Sequence, residues 1–248
     1  MSIADKFAVI AHRGASARAP ENTLAAFDLA LEMGAKHIEL DIRTTRDGRV
    51  AVLHDPTLDR TTNGSGPVSE TDWADVRKLD AGAWFGPEFA GQRVPSLDEA
   101  LQRCQGKARL HIELKDGAPD MAAKTLDLIE SRGMAGQVAL ISFRKEWLAK
   151  VRALAPDIQT GYLVREADDE AVAWAKANGV GSICPKEESL TPELVPILHE
   201  QGLGARFWSV RDEAAMRRVI ESGADGMTVN FPDRAFALLR EMGDVPFE

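Results

Sequence analysis

Cysteine is nearly absent from the 248-residue chain: Cys104 and Cys184 are the only two, and they form no C-x-x-C pair. That leaves no disulfide framework, and two reduced, mostly buried thiols are expected, in keeping with a cytoplasmic protein. The opening residues MSIADKFAVIAHRG lack a basic region followed by an apolar one, so no secretory signal is read there. No stretch approaches the roughly 20 apolar residues of a membrane span. Positive charge is also short. Thirty Lys and Arg stand against 39 Asp and Glu, a net charge of −9. This argues against a chain that wraps nucleic acid, which carries a basic stripe. It does not exclude one small anion, which a local cation cluster and a metal can hold. Internal repeats, low-complexity tracts and flexible linkers are missing too.

The composition is 44% hydrophobic and 28% charged, ordinary for a soluble globular protein able to bury a core. Short apolar runs alternate with amphipathic segments. The runs are Phe7–His12, His37–Ile42, Val50–His54, Leu110–Lys115, Val138–Ser142, Thr160–Val164, Ser182–Pro185, Ala205–Val210 and Met227–Asn230. Helical patterns cover Glu21–Met33, Asp120–Ser131, Lys145–Leu154, Asp169–Ala177, Pro192–Gln201, Glu213–Ser222 and Arg234–Met242. Strand–helix alternation predicts a parallel sheet, and near-continuous apolar strands fit a sheet covered on both faces. Gly34, Gly133, Gly179, Gly202 and Gly223 read as helix stops, and Thr191-Pro192 as an N-cap with proline in the first turn. About eight βα units remain if one of the two strands following Glu39 is a side element. The expected fold is therefore an α/β TIM (β/α)8 barrel, one domain over residues 1–248, since such barrels need about 250 residues. Residues 56–94, with Trp73, Trp84 and the turn-rich AGAWFGPEFAG, break the rhythm and read as an insertion folded over one end.

Polar residues fall at the strand ends. The first run closes on His12-Arg13-Gly14, the second carries Glu39 and Asp41, the third ends in His54-Asp55, and the fourth carries Glu113 and Lys115. Side chains two apart on a strand share a face, and parallel strands of a barrel end at one mouth. Three inward carboxylates repel one another and lose hydration unless compensated. Salt bridges to Arg13 and Lys115 are one form of compensation; one divalent cation, Mg2+ or Ca2+ with Mn2+ also suited to oxygen ligands, is the stronger expectation. His12 and His54 titrate near neutrality and are the acid–base candidates, with ligation by His12 left open. Arg13 and Lys115 suit a phosphate, the first as a fork and the second as a point charge. Trp208 is read as core or as an apolar wall of the mouth. His37, His111 and His199 are read as structural.

The chain resembles the glycerophosphodiester phosphodiesterase family over essentially its whole length. The resemblance rests on AHRGASARAPENTLAAF, IELDIRTTRDG, VLHDPTLDRTTNGSG, WFGPEFAGQRVPSLDEAL, HIELK, FWSV and GADGMTVNFPD, in that order. It implies hydrolysis of glycerophosphodiesters to glycerol 3-phosphate and an alcohol. It implies Glu39, Asp41 and Glu113 as metal ligands, His12 and His54 as acid–base catalysts, and Arg13 and Lys115 as phosphate ligands. Glu21 and Asn22, in its E-N-T element, are expected close to the mouth, with Glu21 supporting His12 or Arg13, and Asp55 assists beside His54. Two departures are expected to touch neither the metal site nor the histidines: Arg211 after FWSV, where the family often has Asn, and Val229-Asn230, where it often has Thr-Asp. Two other functions stay in view: a lysophospholipase D acting on a one-chain lipid, and a non-catalytic phosphate- or metal-binding barrel. The substrate is expected to be a small molecule, with no stable membrane association; head group and oligomeric state are left open.

Overall fold

A computed structural model describes residues 7–243. Its strands are β1 (Ala8–His12), β2 (His37–Thr44), β3 (Val50–Val52), β4 (Arg109–Leu114), β5 (Val138–Ser142), β6 (Gln159–Leu163), β7 (Ser182–Cys184), β8 (Gly204–Phe207) and β9 (Gly226–Val229). Its helices are α1 (Leu24–Glu32), α2 (Trp73–Val76), α3 (Leu97–Cys104), α4 (Met121–Ser131), α5 (Lys145–Leu154), α6 (Asp169–Ala177), α7 (Leu194–Glu200), α8 (Glu213–Glu221) and α9 (Pro232–Gly243). All strands but β3 are parallel, and β1 pairs with both β2 and β9, closing a (β/α)8 barrel with helices outside. No described helix is long and apolar enough to cross a membrane.

Alternation along each strand divides core from site. Ile38, Leu40 and Ile42 of β2 and Leu110, Ile112 and Leu114 of β4 pack against Phe27, Ala30, Leu97 and Leu101 of the helices. A second cluster joins Ile183, Phe207, Met227 and Val229 to the helices of the other half. The intervening residues face the barrel axis, and on β2 and β4 these are His37, Glu39, Asp41 and Arg109, His111, Glu113. On these two strands the inner face is polar, as the inward placement of Glu39, Asp41 and Glu113 anticipates, and its groups must find partners. At the barrel floor they find one another. Arg206 donates from Nη1 to His111 Nδ1 at 3.2 Å and from Nη2 to Ser182 Oγ at 2.6 Å. Because arginine only donates, His111 must carry its proton on Nε2, which stands 3.0 Å from His37 Nδ1.

β3 is the side element expected among the two strands following Glu39, shorter than the predicted Val50–His54 and not one of the eight parallel strands. It runs antiparallel to β2, with Ile42 opposite Val52 and Thr44 opposite Val50. The hairpin turns at Asp47-Gly48, with Gly48 at φ 74°, an Asp-Gly turn of the kind that reverses a chain tightly. The Leu53 amide reaches the Asp41 carbonyl at 3.0 Å, so the returning strand delivers His54 level with the acids. Thr191 is not a helix cap: Glu193 precedes α7, and Leu194 N–H bonds the Thr191 carbonyl in a preceding turn. The five expected glycine stops all lie at positive φ. Helix α3 follows a Ser96–Glu99 capping box, which contributes about 1 kcal/mol. Between β3 and α3, Leu58, Val68, Val76, Ala81 and Val94 pack with Ala51 and Leu53 in a small core of their own.

Candidate active site

The first turn after β1 sets the geometry. Arg13 lies at φ 55° and Gly14 at φ 82°. A Cβ on Gly14 would stand 2.6 Å from the Ala26 backbone, so no larger residue fits there. The strained turn aims the Arg13 N–H at Glu39 Oε2, 3.0 Å away, and turns its guanidinium inward. Asn22, another left-handed residue at φ 59°, donates to Asp41 Oδ2 at 2.9 Å and accepts from the Asp41 amide at 3.3 Å. Strain of this kind gathers where geometry matters more than stability.

Glu39, Asp41 and Glu113 are buried, and one carboxylate oxygen of each lies within 4.8 Å of the others. Their compensation is incomplete. Arg13 Nε stands 3.0 Å from Asp41 Oδ2, and Lys115 Nζ stands 3.1 Å from Asp41 Oδ1 and 2.6 Å from Glu113 Oε1. Neither approach to Asp41 has hydrogen-bonding alignment, and Asp41 Oδ1 keeps an open lone pair although fully buried. Two cations therefore face three carboxylates. Burial, then the neighbouring Asp41, pushes Glu39 well above the usual carboxylate range and Glu113 up to about 7. Burial alone would raise Asp41 too, but Arg13 and Lys115 outweigh it and hold it low. A hard divalent cation fits this all-oxygen donor set and its orphaned lone pair.

Both expected histidines reach the same opening. His12 Nδ1 lies 2.6 Å from Asn230 Oδ1, and His54 Nδ1 lies 2.6 Å from Asp55 Oδ1. In each case the ring donates from Nδ1 to an oxygen, which leaves the Nε2 lone pair of the neutral ring available. His12 Nε2 stands 3.9 Å from Glu39 Oε2. Burial, then Arg13, lowers His12 to about 4; burial also lowers His54. The contact with Asn230 overturns the expectation that the Val229-Asn230 departure leaves the histidines untouched: β9 lies beside β1 in the closed ring, so the residue that follows it meets His12.

Glu21 accepts from Arg13 Nη1 at 2.8 Å and from Arg60 Nη1 at 2.7 Å, and Arg60 also binds Asp55 at 2.6 Å. Arg60, which sequence reasoning passed over, thus ties the residue behind Arg13 to the residue behind His54. Opposite the acids the wall is apolar. Trp208, anchored by Nε1 on the Val164 carbonyl at 3.0 Å, meets Phe143 edge to face with ring centres 5.3 Å apart. Phe143 is 43% exposed and was also passed over; its place directly after the Val138–Ser142 strand was the available signal. The cleft between these walls measures about 330 Å³ and takes in His12, Arg13, Glu39, His54, Glu113, Lys115 and Trp208. His37, His111 and His199 stand elsewhere, the last 3.1 Å from Asp225.

Comparison with known proteins gives a consistent picture. The model of the glycerophosphoryl diester phosphodiesterase family matches residues 12–234. A glycerophosphodiester phosphodiesterase of Bacillus subtilis is 37% identical over 250 residues, covering 92% of this chain and 85% of the relative. One from Caldanaerobacter subterraneus is 38% identical over 242 residues, covering 96% of this chain and all of the relative (100%). Among solved structures, a glycerophosphodiester phosphodiesterase of Agrobacterium tumefaciens superposes with a TM-score of 0.85 at 34% identity, over 93% of this chain and 99% of that one. An Oleispira antarctica phosphodiesterase in complex with the product sn-glycerol-3-phosphate superposes with a TM-score of 0.90 at 26% identity, over 97% of this chain and 100% of that one.

Proposed function

The chain belongs to the glycerophosphoryl diester phosphodiesterase family, and from that premise we propose that it hydrolyses glycerophosphodiesters to sn-glycerol 3-phosphate and an alcohol, using one divalent cation and two histidines. The observation that carries this reading is the buried carboxylate triad, whose oxygens lie within 4.8 Å of one another, sharing a cleft with both histidines.

Glu39, Asp41 and Glu113 hold the cation, Mg2+ or Ca2+ with Mn2+ also accommodated; when bound it supplies Lewis-acid polarisation of a phosphoryl oxygen and a template for the diester. Arg13 and Lys115 face the same cleft and neutralise charge that grows on the phosphoryl oxygens. His12, whose Nδ1 is held by the neutral Asn230 amide, takes at Nε2 the proton of the attacking oxygen, that of water or of the neighbouring glycerol hydroxyl, whose cyclic phosphate water then opens. His54, whose imidazolium form is stabilised by the Asp55 carboxylate, gives a proton to the leaving alkoxide. Glu21 and Arg60 hold Arg13 and Asp55 in register. Trp208 closes the cleft on the apolar side and keeps bulk water from the phosphoryl group. The chain acts as one domain, with residues 56–94 as a cap contributing Arg60. The two free, buried cysteines support a reducing, cytoplasmic setting.

The test is product identity. Phosphorus NMR of glycerophosphoethanolamine treated with enzyme and Mg2+ or Ca2+ should show sn-glycerol 3-phosphate alone. Phosphoethanolamine as the product would reverse the bond assignment, and turnover confined to lysophosphatidylcholine would favour the lysophospholipase D reading.

A further inference from the structure

All acids of the cleft stand on one side. Glu39 and Asp41 come from β2 and Glu113 from β4. Around the opposite side, the cleft residues from β5 to β9 include no carboxylate, and the one permanent charge among them is Arg211. It lies three residues beyond Trp208, in the link from β8 to α8. None of the ion pairs among the described residues includes it. Its guanidinium donates from Nε to Ser209 Oγ at 3.2 Å. Ser209 is the third non-glycine residue at positive φ, at 64°, and like Arg13 it lines the cleft. The strained backbone thus sets the serine hydroxyl where it holds Arg211 in the same cleft lining as Phe143 and Trp208. Of the nearby acids, Asp212 caps α8 through the Ala215 amide, and Glu188, which also feels the Arg211 charge, makes its ion pair with Lys186.

We propose that Arg211, positioned by Ser209, is a specificity-determining residue that favours glycerophosphodiesters whose alcohol moiety carries its own negative charge over those ending in an ammonium. The inference rests on the diesterase reading above and goes beyond it by naming the substrate class. Two effects oppose each other on this wall. The aromatic pair attracts an ammonium by about twofold to fivefold in binding, the range for an exposed cation–π contact. A full charge at about 6 Å, across a mouth of effective dielectric near 40, changes binding by about tenfold. Arg211 applies that factor with opposite sign to the two classes, repelling the ammonium and attracting the anion, so charge outweighs the aromatic contact.

The experiment compares kcat/KM for a glycerol-bridged bis-phosphodiester, whose alcohol moiety keeps one phosphate charge, with kcat/KM for glycerophosphocholine. Full-length enzyme is used with saturating divalent cation at low salt. Wild type should favour the anionic diester by about tenfold or more. Arg211→Gln should lower that ratio by about tenfold or more, Arg211→Lys should keep most of it, and about 0.5 M salt should collapse it in wild type by screening. A wild-type ratio at or below one, or an Arg211→Gln ratio equal to wild type, overturns the assignment while leaving the diesterase reading standing. Failure of wild type to cleave either compound overturns both.

Discussion

Cation binding should release protons, and the amount follows from the burial of the acids. A carboxylate must be ionised to ligate a metal, so any proton it holds beforehand is expelled. With Glu113 near 7, about half of its sites are protonated at pH 7, about nine-tenths at pH 6 and about one-tenth at pH 8. Glu39, raised in the same direction by burial and by Asp41, adds to that count, whereas Asp41 is already ionised. Binding of Mg2+ or Ca2+ at pH 7 should therefore release at least about half a proton. The affinity should rise at least about tenfold from pH 6 to pH 8, because each proton expelled contributes one decade per pH unit. Calorimetric titration in two buffers of different ionisation enthalpy reads the proton count directly. Glu113→Gln should bind more weakly and release fewer protons. Measurable cation binding with no proton release at pH 7 and flat affinity across the range would refute the placement of the cation among these three buried carboxylates.

The remaining predictions concern the histidines and the floor. His12→Ala and His54→Ala should each lower kcat by about 10² to 10⁴; near wild-type turnover in either would remove that histidine from the chemistry. Asn230→Asp places a carboxylate on His12 Nδ1, so it should move the acidic limb of the kcat/KM profile to higher pH. An unmoved limb would mean that His12 does not titrate in the rate. At the floor, burial, then Arg109 and Arg206, lowers His37 from an ordinary 6.5 to about 4. A folded-state value below the unfolded one contributes stability that is present above about 6.5 and lost as pH falls toward 4. The loss amounts to about 2 kcal/mol by pH 5. Urea unfolding of wild type and His37→Gln at pH 7 and pH 5 should show the variant losing about that much less on acidification; equal losses would contradict the neutral histidine floor.

Much of the barrel is legible because periodicity and punctuation agree. The helices Lys145–Leu154 and Asp169–Ala177 stand where their apolar spacing predicts them, and glycines end the helices that they were expected to end. The elements missed were those whose signal is local chemistry rather than period. Helix α3 announces itself through Ser96 and Glu99, and the β2–β3 reversal through Asp47-Gly48. The gathering of Glu39, Asp41, Glu113 and His12 was legible because parallel strands bring their ends together, whereas His54 reaches them on the antiparallel return of β3. Asn230 on His12 was not, since the pairing of β9 with β1 joins residues 218 apart in sequence and only closure of the ring brings them together. Arg60 was missed for a related reason: a surface arginine in a loop acquires meaning only when the loop folds back onto Glu21 and Asp55.

The most direct test of the account is release of sn-glycerol 3-phosphate from glycerophosphoethanolamine by metal-stripped enzyme, with Mg2+ or Ca2+ added back to wild type and to Asp41→Asn. Stripped protein should be inactive, wild type should regain turnover with the cation, and Asp41→Asn should fall by at least about a hundredfold at any cation concentration. Full turnover by stripped wild type, or by folded Asp41→Asn, would contradict it.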